Sequence, residues 1–156
     1  MVGATVAAIA IPSVSGSAIA AACLRNTDAA AVNARLMQTE LMVAALTCQR
    51  RSEYNTFVRQ FESELVSHGK QLKSTFKRMY GLAAEAQLNR FVTRLANEAS
   101  LRSLQSTDYC AKVGGLFAGT FAVKQGKLAH FAAGQTFSTQ HGLPYCEDEQ
   151  RVAEIK

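Results

Sequence analysis

The chain has 156 residues, a single domain's length, with 48% hydrophobic and 19% charged residues. That balance supports a packed core and excludes a disordered polyelectrolyte. A formal charge of +5, from 17 basic against 12 acidic residues, favours anionic partners in general and selects none.

Met1 to Ala22 carries no charged side chain. Val2 to Ile11 is a hydrophobic run, Pro12 breaks it, and Ser13, Ser15, Gly16 and Ser17 follow. Ala18-Ile19-Ala20 and Ala20-Ala21-Ala22 both fit the small-residue rule of signal peptidase, so residues 1–22 read as a signal peptide cut after Ala20 or Ala22. Its departure from the pattern is an n-region without Lys or Arg. Two alternatives are disfavoured. A membrane anchor would have to pass through Pro12 and the Ser/Gly cluster. A lipoprotein modified at Cys23 would need a large aliphatic residue upstream, where Ala20 stands.

The body, residues 23–146, contains only Pro144 among prolines, which favours an all-helical fold. Helix one is expected from about Asp28 to Thr47, with Asn26, Thr27 and Asp28 as candidate N-caps. Its segment Leu36–Cys48 is apolar on more than one face, so it should lie centrally, with Glu40 as its one acid. Helix two is expected to run unbroken from Ser52 as N-cap to Tyr80. Tyr54, Phe57, Val58, Phe61, Leu65, Leu72, Phe76 and Tyr80 form its apolar stripe, and Gly81 offers a left-handed cap. Gly69 in its interior implies a close crossing or a kink. Helix three, Ala83 to Leu104, repeats the stripe with Leu88, Phe91, Val92, Leu95 and Ala99. Helix four, roughly Thr107 to Lys124, should end at Gly126. It carries Gly115 and Gly119 at the spacing of a close helix contact. Leu128 to Ala133 is expected to add a turn or two, and Gly134 to Tyr145 an ordered strap. Residues 147–156 read as a flexible, net acidic tail.

Four cysteines, Cys23, Cys48, Cys110 and Cys146, lack any C-x-x-C pair, so two disulfides in an oxidising compartment are the default. Helix length chooses the pairing. A helix of about 20 residues spans ~30 Å at 1.5 Å per residue, which parts Cys23 from Cys48. Alternating up and down, the chain brings Cys110 back to the Cys48 end and Cys146 to the Cys23 end. The expectation is an up-down bundle of about four helices stapled by Cys48–Cys110 and Cys23–Cys146.

Motifs for catalysis are missing: there is no G-x-S-x-G, P-loop or G-x-G-x-x-G. Glu64 and His68 stand one turn apart, but a di-iron bundle needs two Glu-x-x-His copies and there is none. Haem held by His68, His130 or Met37 is the cofactor alternative, and an envelope enzyme the catalytic one. His141, five residues before Cys146, is a weak signal. The sequence implies no cofactor. Its one candidate for function is the basic stretch Arg50 to Arg78, with Arg59, Lys70, Lys73, Lys77 and Arg78 as expected binding residues. Anionic lipid, a cell-envelope polymer or a protein would suit it. Nucleic acid would not, because export removes it and Tyr54 and Tyr80 fall on the buried stripe.

Leu36–Cys48, Leu88–Ser100 (LNRFVTRLANEAS) and Tyr109-Cys110 resemble a group of small exported bacterial helical proteins with four cysteines. The resemblance implies a cysteine-stapled helical domain of the cell envelope and carries no catalytic residues.

Overall fold

The computed structural model describes residues 22–146, so the signal-peptide segment and the acidic tail lie outside the described residues, apart from Ala22. The domain is all-α: α1 (Asn26–Thr47), α2 (Arg51–Gln60), α3 (Glu62–Tyr80), a 3-10 turn (Gly81–Ala83), α4 (Ala84–Gln105), α5 (Tyr109–Phe121) and α6 (Leu128–Ala133). Among the described residues there is no β-strand, only an isolated bridge from Leu24 to Tyr145.

α1 is the hub and packs against every other α-helix. Its apolar residues point in all directions, and Val32, Met37, Leu41 and Ala44 are fully buried. The start differs from the expected caps. Arg25 takes the cap position, and Asp28, in the first turn, reaches back to accept the Arg25 backbone N–H at 3.1 Å. At the other end Gln49 adopts φ 58°, and Arg50 N–H donates to the Ala45 carbonyl at 2.9 Å. This is a Schellman closure with glutamine where glycine is usual.

The expected single second helix is two. It breaks at Phe61, where φ −111° and ψ 18° leave the helical range. No Pro or Gly stands there. Phe57 and Phe61, one turn apart, are both wholly buried with rings 5.6 Å apart, so the apolar face continues across the break. The ladder survives on either side, with Phe61 N–H on the Phe57 carbonyl and Leu65 N–H on the Phe61 carbonyl. Ser52 does not cap α2. It lies inside the helix, and its carbonyl accepts the Thr56 hydroxyl.

Gly81 follows α3 with φ 55°, a backbone state that favours glycine, and turns the chain into α4. Gly69 neither kinks α3 nor lets a helix approach closely: a methyl added there would meet nothing within 4 Å. The expected Gly115–Gly119 contact is half right. A methyl added at Gly119 would come within 3.1 Å of the Phe131 ring, whereas Gly115 faces open space. Its neighbour Gly114 makes room for the Arg50 guanidinium instead. α5 stops at Phe121, short of Gly126, which bends at φ 81° into α6.

Both disulfides form as expected, Cys23–Cys146 with Cα atoms 5.0 Å apart and Cys48–Cys110 with 5.5 Å. Closing the 62-residue separation is worth about 4 kcal/mol in the chain-entropy account. At the Cys23 end the strap adds backbone bonds: Leu24 N–H to the Pro144 carbonyl at 2.7 Å and Cys146 N–H to the Leu24 carbonyl at 3.0 Å. The Cys23 sulfur is therefore engaged, which opposes lipidation there. Two closed disulfides indicate an oxidising, non-cytoplasmic setting.

Gln49→Gly should raise stability by about 1 kcal/mol, because glycine takes a positive φ without the Cβ penalty. Thermal unfolding followed by circular dichroism reads this as a higher midpoint. A lower midpoint would show that the Gln49 side chain stabilises the turn.

Candidate functional site

The basic stretch separates into residues that hold the fold and residues that do not. Arg50 binds Glu53 through Nη1 at 2.8 Å and lies beneath Gly114. Arg78, expected as a binding residue, is a structural bolt. It is half-buried, pairs with Asp28 and donates twice to the Cys23 carbonyl at 3.3 Å. Asp28 also accepts the Thr75 hydroxyl at 2.9 Å. This buried cluster ties α3 to the start of α1 beside the Cys23 disulfide.

Lys70, Lys73 and Lys77 recur at i, i+3 and i+7 and so share one side of α3. All three are exposed, and among the described residues none makes an ion pair or hydrogen bond. Lys73 and Lys77 border a groove of about 640 Å³ at the α3–α4 turn, with Leu82 and Leu88 beside them. Leu82 is fully exposed. Arg59 stands on α2 beyond the break at Phe61 and contacts Thr56. It belongs to neither this groove nor the lysine row.

Two further polar centres lay beyond sequence reasoning. The first is Glu40, buried at 5% exposure. Arg102 of α4 donates to it at 2.6 Å, and the Tyr109 hydroxyl of α5 lies 3.4 Å away. Burial and the Glu40 charge push the Tyr109 phenol up, so it stays protonated. A cleft of about 390 Å³ opens beside this triad, floored by Val113, Leu116 and Phe137. The second centre is a cavity of about 140 Å³ between α1, α3 and α4, where Arg35, Gln38, His68, Gly69 and Lys73 meet.

Glu64, His68, His130 and His141 do not form a metal centre. Among the described residues no three His, Cys, Asp or Glu side chains gather closely enough to hold an ion. Glu64 accepts the Gly126 and Leu128 backbone N–H groups at 2.7 and 3.1 Å, anchoring the start of α6. His130 is exposed on α6. His141 is buried, and its Nδ1 accepts the Leu143 N–H at 3.1 Å. Its carbonyl accepts Arg94 at 2.6 Å. Met37 is buried within α1.

Compared with protein-family models, curated proteins and solved structures, the chain matches none.

Arg102→Ala should cost about 3 kcal/mol in denaturant unfolding, because it strands the Glu40 carboxylate in the interior. Replacing both partners with apolar residues, Glu40→Leu with Arg102→Met, should recover most of that loss. A double variant no better than the single one would refute the stranded-charge account.

His141 gives the stability a pH slope. Burial, and then the nearby Arg94 charge, hold its pKa below the ordinary 6.5. The unfolded chain thus binds a proton that the folded chain resists. The contribution is complete above pH 6.5 and is lost as pH falls through the lower folded value. Asn at this position keeps an acceptor near Nδ1 but cannot titrate. His141→Asn should therefore flatten the melting temperature between pH 7 and 5 relative to the parent. An unchanged slope would assign the effect to another group.

Proposed function

We propose that the protein is an exported, non-enzymatic binding module of the bacterial cell envelope, periplasmic or secreted, that meets an anionic partner through α3. The observation that carries this reading is the unpaired row of Lys70, Lys73 and Lys77. Five of the arginines elsewhere on the domain form ion pairs or hydrogen bonds to acidic groups or carbonyls: Arg50, Arg78, Arg94 and Arg102 to a carboxylate, and Arg35 to the Gln38 amide oxygen. The lysines spend their charge on solvent alone. Two disulfides support an address outside the cytoplasm, and the small-residue segment ending at Ala22 supports delivery by a signal peptide. The resemblance to small exported bacterial proteins agrees.

Among anionic partners, a lipid surface fits best. Leu82, fully exposed, shares the groove with Lys73 and Lys77, and a basic row beside a protruding apolar side chain suits a headgroup layer. No described helix is long and apolar enough to cross a membrane, so contact would be peripheral. A charged envelope polymer would use the lysines without Leu82.

Flotation with phosphatidylglycerol vesicles tests the reading. The parent should float at low salt and release as salt rises. Lys70→Gln, Lys73→Gln and Lys77→Gln combined should abolish flotation, each lysine contributing about 1 kcal/mol near an anionic surface. Binding unchanged in the triple variant would remove α3 from consideration.

A further inference from the structure

The cavity between α1, α3 and α4 holds the one electrostatic imbalance inside the described domain. Four arginines are half-buried: Arg35, Arg50, Arg78 and Arg102. Three of them hold a carboxylate, on Glu53, Asp28 and Glu40 respectively. Arg35 holds only the Gln38 amide oxygen, at 3.0 Å. Burial works against its charge, and among the described residues no carboxylate offsets that cost, only in part the Tyr54 phenol. Its Nε is closed off from solvent without a hydrogen-bond partner, as are Nδ1 of His68 and Nε of Arg102. What sets Arg35 apart is that it borders a cavity with no carboxylate to answer its charge.

The cavity also has the size and charge for a specific occupant. At about 140 Å³ the cavity is roomy enough for a small polyatomic anion. Three basic side chains border it from two helices: Arg35 on α1, and His68 and Lys73 on successive turns of α3. A carboxylate has two oxygens for such a set, whereas a tetrahedral oxyanion has one for each donor. Gly69, whose missing side chain leaves nothing within 4 Å, keeps the wall open next to His68.

We infer that this cavity is a phosphate-class oxyanion site, with Arg35 as its main donor and His68 and Lys73 completing it. The occupant is either free orthophosphate or the phosphate of a lipid headgroup. The site goes beyond the lysine row and shares only Lys73 with it. Lys70 and Lys77 do not border the cavity.

The test titrates the full, oxidised chain with orthophosphate, using chloride at equal ionic strength as control, and follows the Arg35 Nε–H and His68 resonances by NMR. Saturable shifts with phosphate and none with chloride are expected. Arg35→Gln should weaken binding by about tenfold or more, as loss of a charge-assisted bond implies. Gly69→Leu keeps every charge but fills the wall, and should weaken it comparably. Circular dichroism establishes that both variants fold, and Gly69→Leu carries the test if Arg35→Gln does not. Lys70→Gln with Lys77→Gln should leave phosphate binding unchanged. A second arm repeats vesicle flotation with Gly69→Leu once its phosphate binding is shown to be weakened: loss of flotation assigns the site to a headgroup, and retained flotation assigns it to free phosphate. Equal shifts with phosphate and chloride, or phosphate binding indifferent to both Arg35→Gln and Gly69→Leu, would overturn the inference. That result leaves the lysine row standing if flotation still depends on Lys70 and Lys77.

Discussion

Contact of α1 with every other helix is the constraint from which the rest of this domain follows. Its exposed positions are confined to Asn26, Thr27, Met42, Leu46 and Thr47, so the buried polar side chains in between have no solvent to face. Each such residue along it must find a partner on a neighbouring element or remain a cost. Asp28 finds Thr75 and Arg78 on α3. Glu40 finds Arg102 on α4 and Tyr109 on α5. These two clusters sit about a dozen residues apart on α1, which is ~18 Å at 1.5 Å per residue, and each lies toward the end that carries a disulfide. The ion pairs fix which side of α3 and of α4 meets the hub, while the disulfides fix which ends meet. Orientation and register thus come from different interactions, and neither set would suffice alone.

What could be read from the sequence was whatever depended on helix length and periodicity. The cysteine pairing follows from a helix too long for Cys23 to reach Cys48, and the structure has that pairing. The central place of α1 follows from apolar residues on more than one face. The break at Phe61 was hidden, because no Pro or Gly marks it and the apolar stripe runs on through Phe57 and Phe61 without interruption. The role of Arg78 was hidden too. On its own helix it continues a basic run, and only the return of α3 to the start of α1 reveals Asp28 beside it. Gly69 misled in the other direction: a glycine in a helix suggests a crossing, yet here it opens a wall. Arg35 left one trace, a cation set among Ala31, Ala34, Leu36 and Met37, but a neighbour on α1 alone could not show that its charge would go unanswered.

The placement of the lysine row gains meaning from the same framework. α3 is held at its far end by Arg78 and Asp28 and near its start by Glu64, whose carboxylate takes the first N–H groups of α6. Lys70, Lys73 and Lys77 lie between those anchors. Their backbone is fixed, so a partner that binds them orders only side chains.

Arg35 is the point at which structural economy fails as an explanation. Were packing its only task, an apolar side chain of similar length would fill the space between α1 and α3 without leaving a charge half-buried. The same holds for His68, whose closed-off Nδ1 gains nothing from the protein around it. An uncompensated interior charge lowers folding stability, and it does so whether or not a ligand is present. It becomes favourable only when an anion supplies the missing partner, and then the desolvation already incurred on folding strengthens the contact, because the pair forms away from bulk water. The half-buried Arg35 charge beside this cavity is a stability cost that an anion would offset, at a position where the lysine row can draw one in.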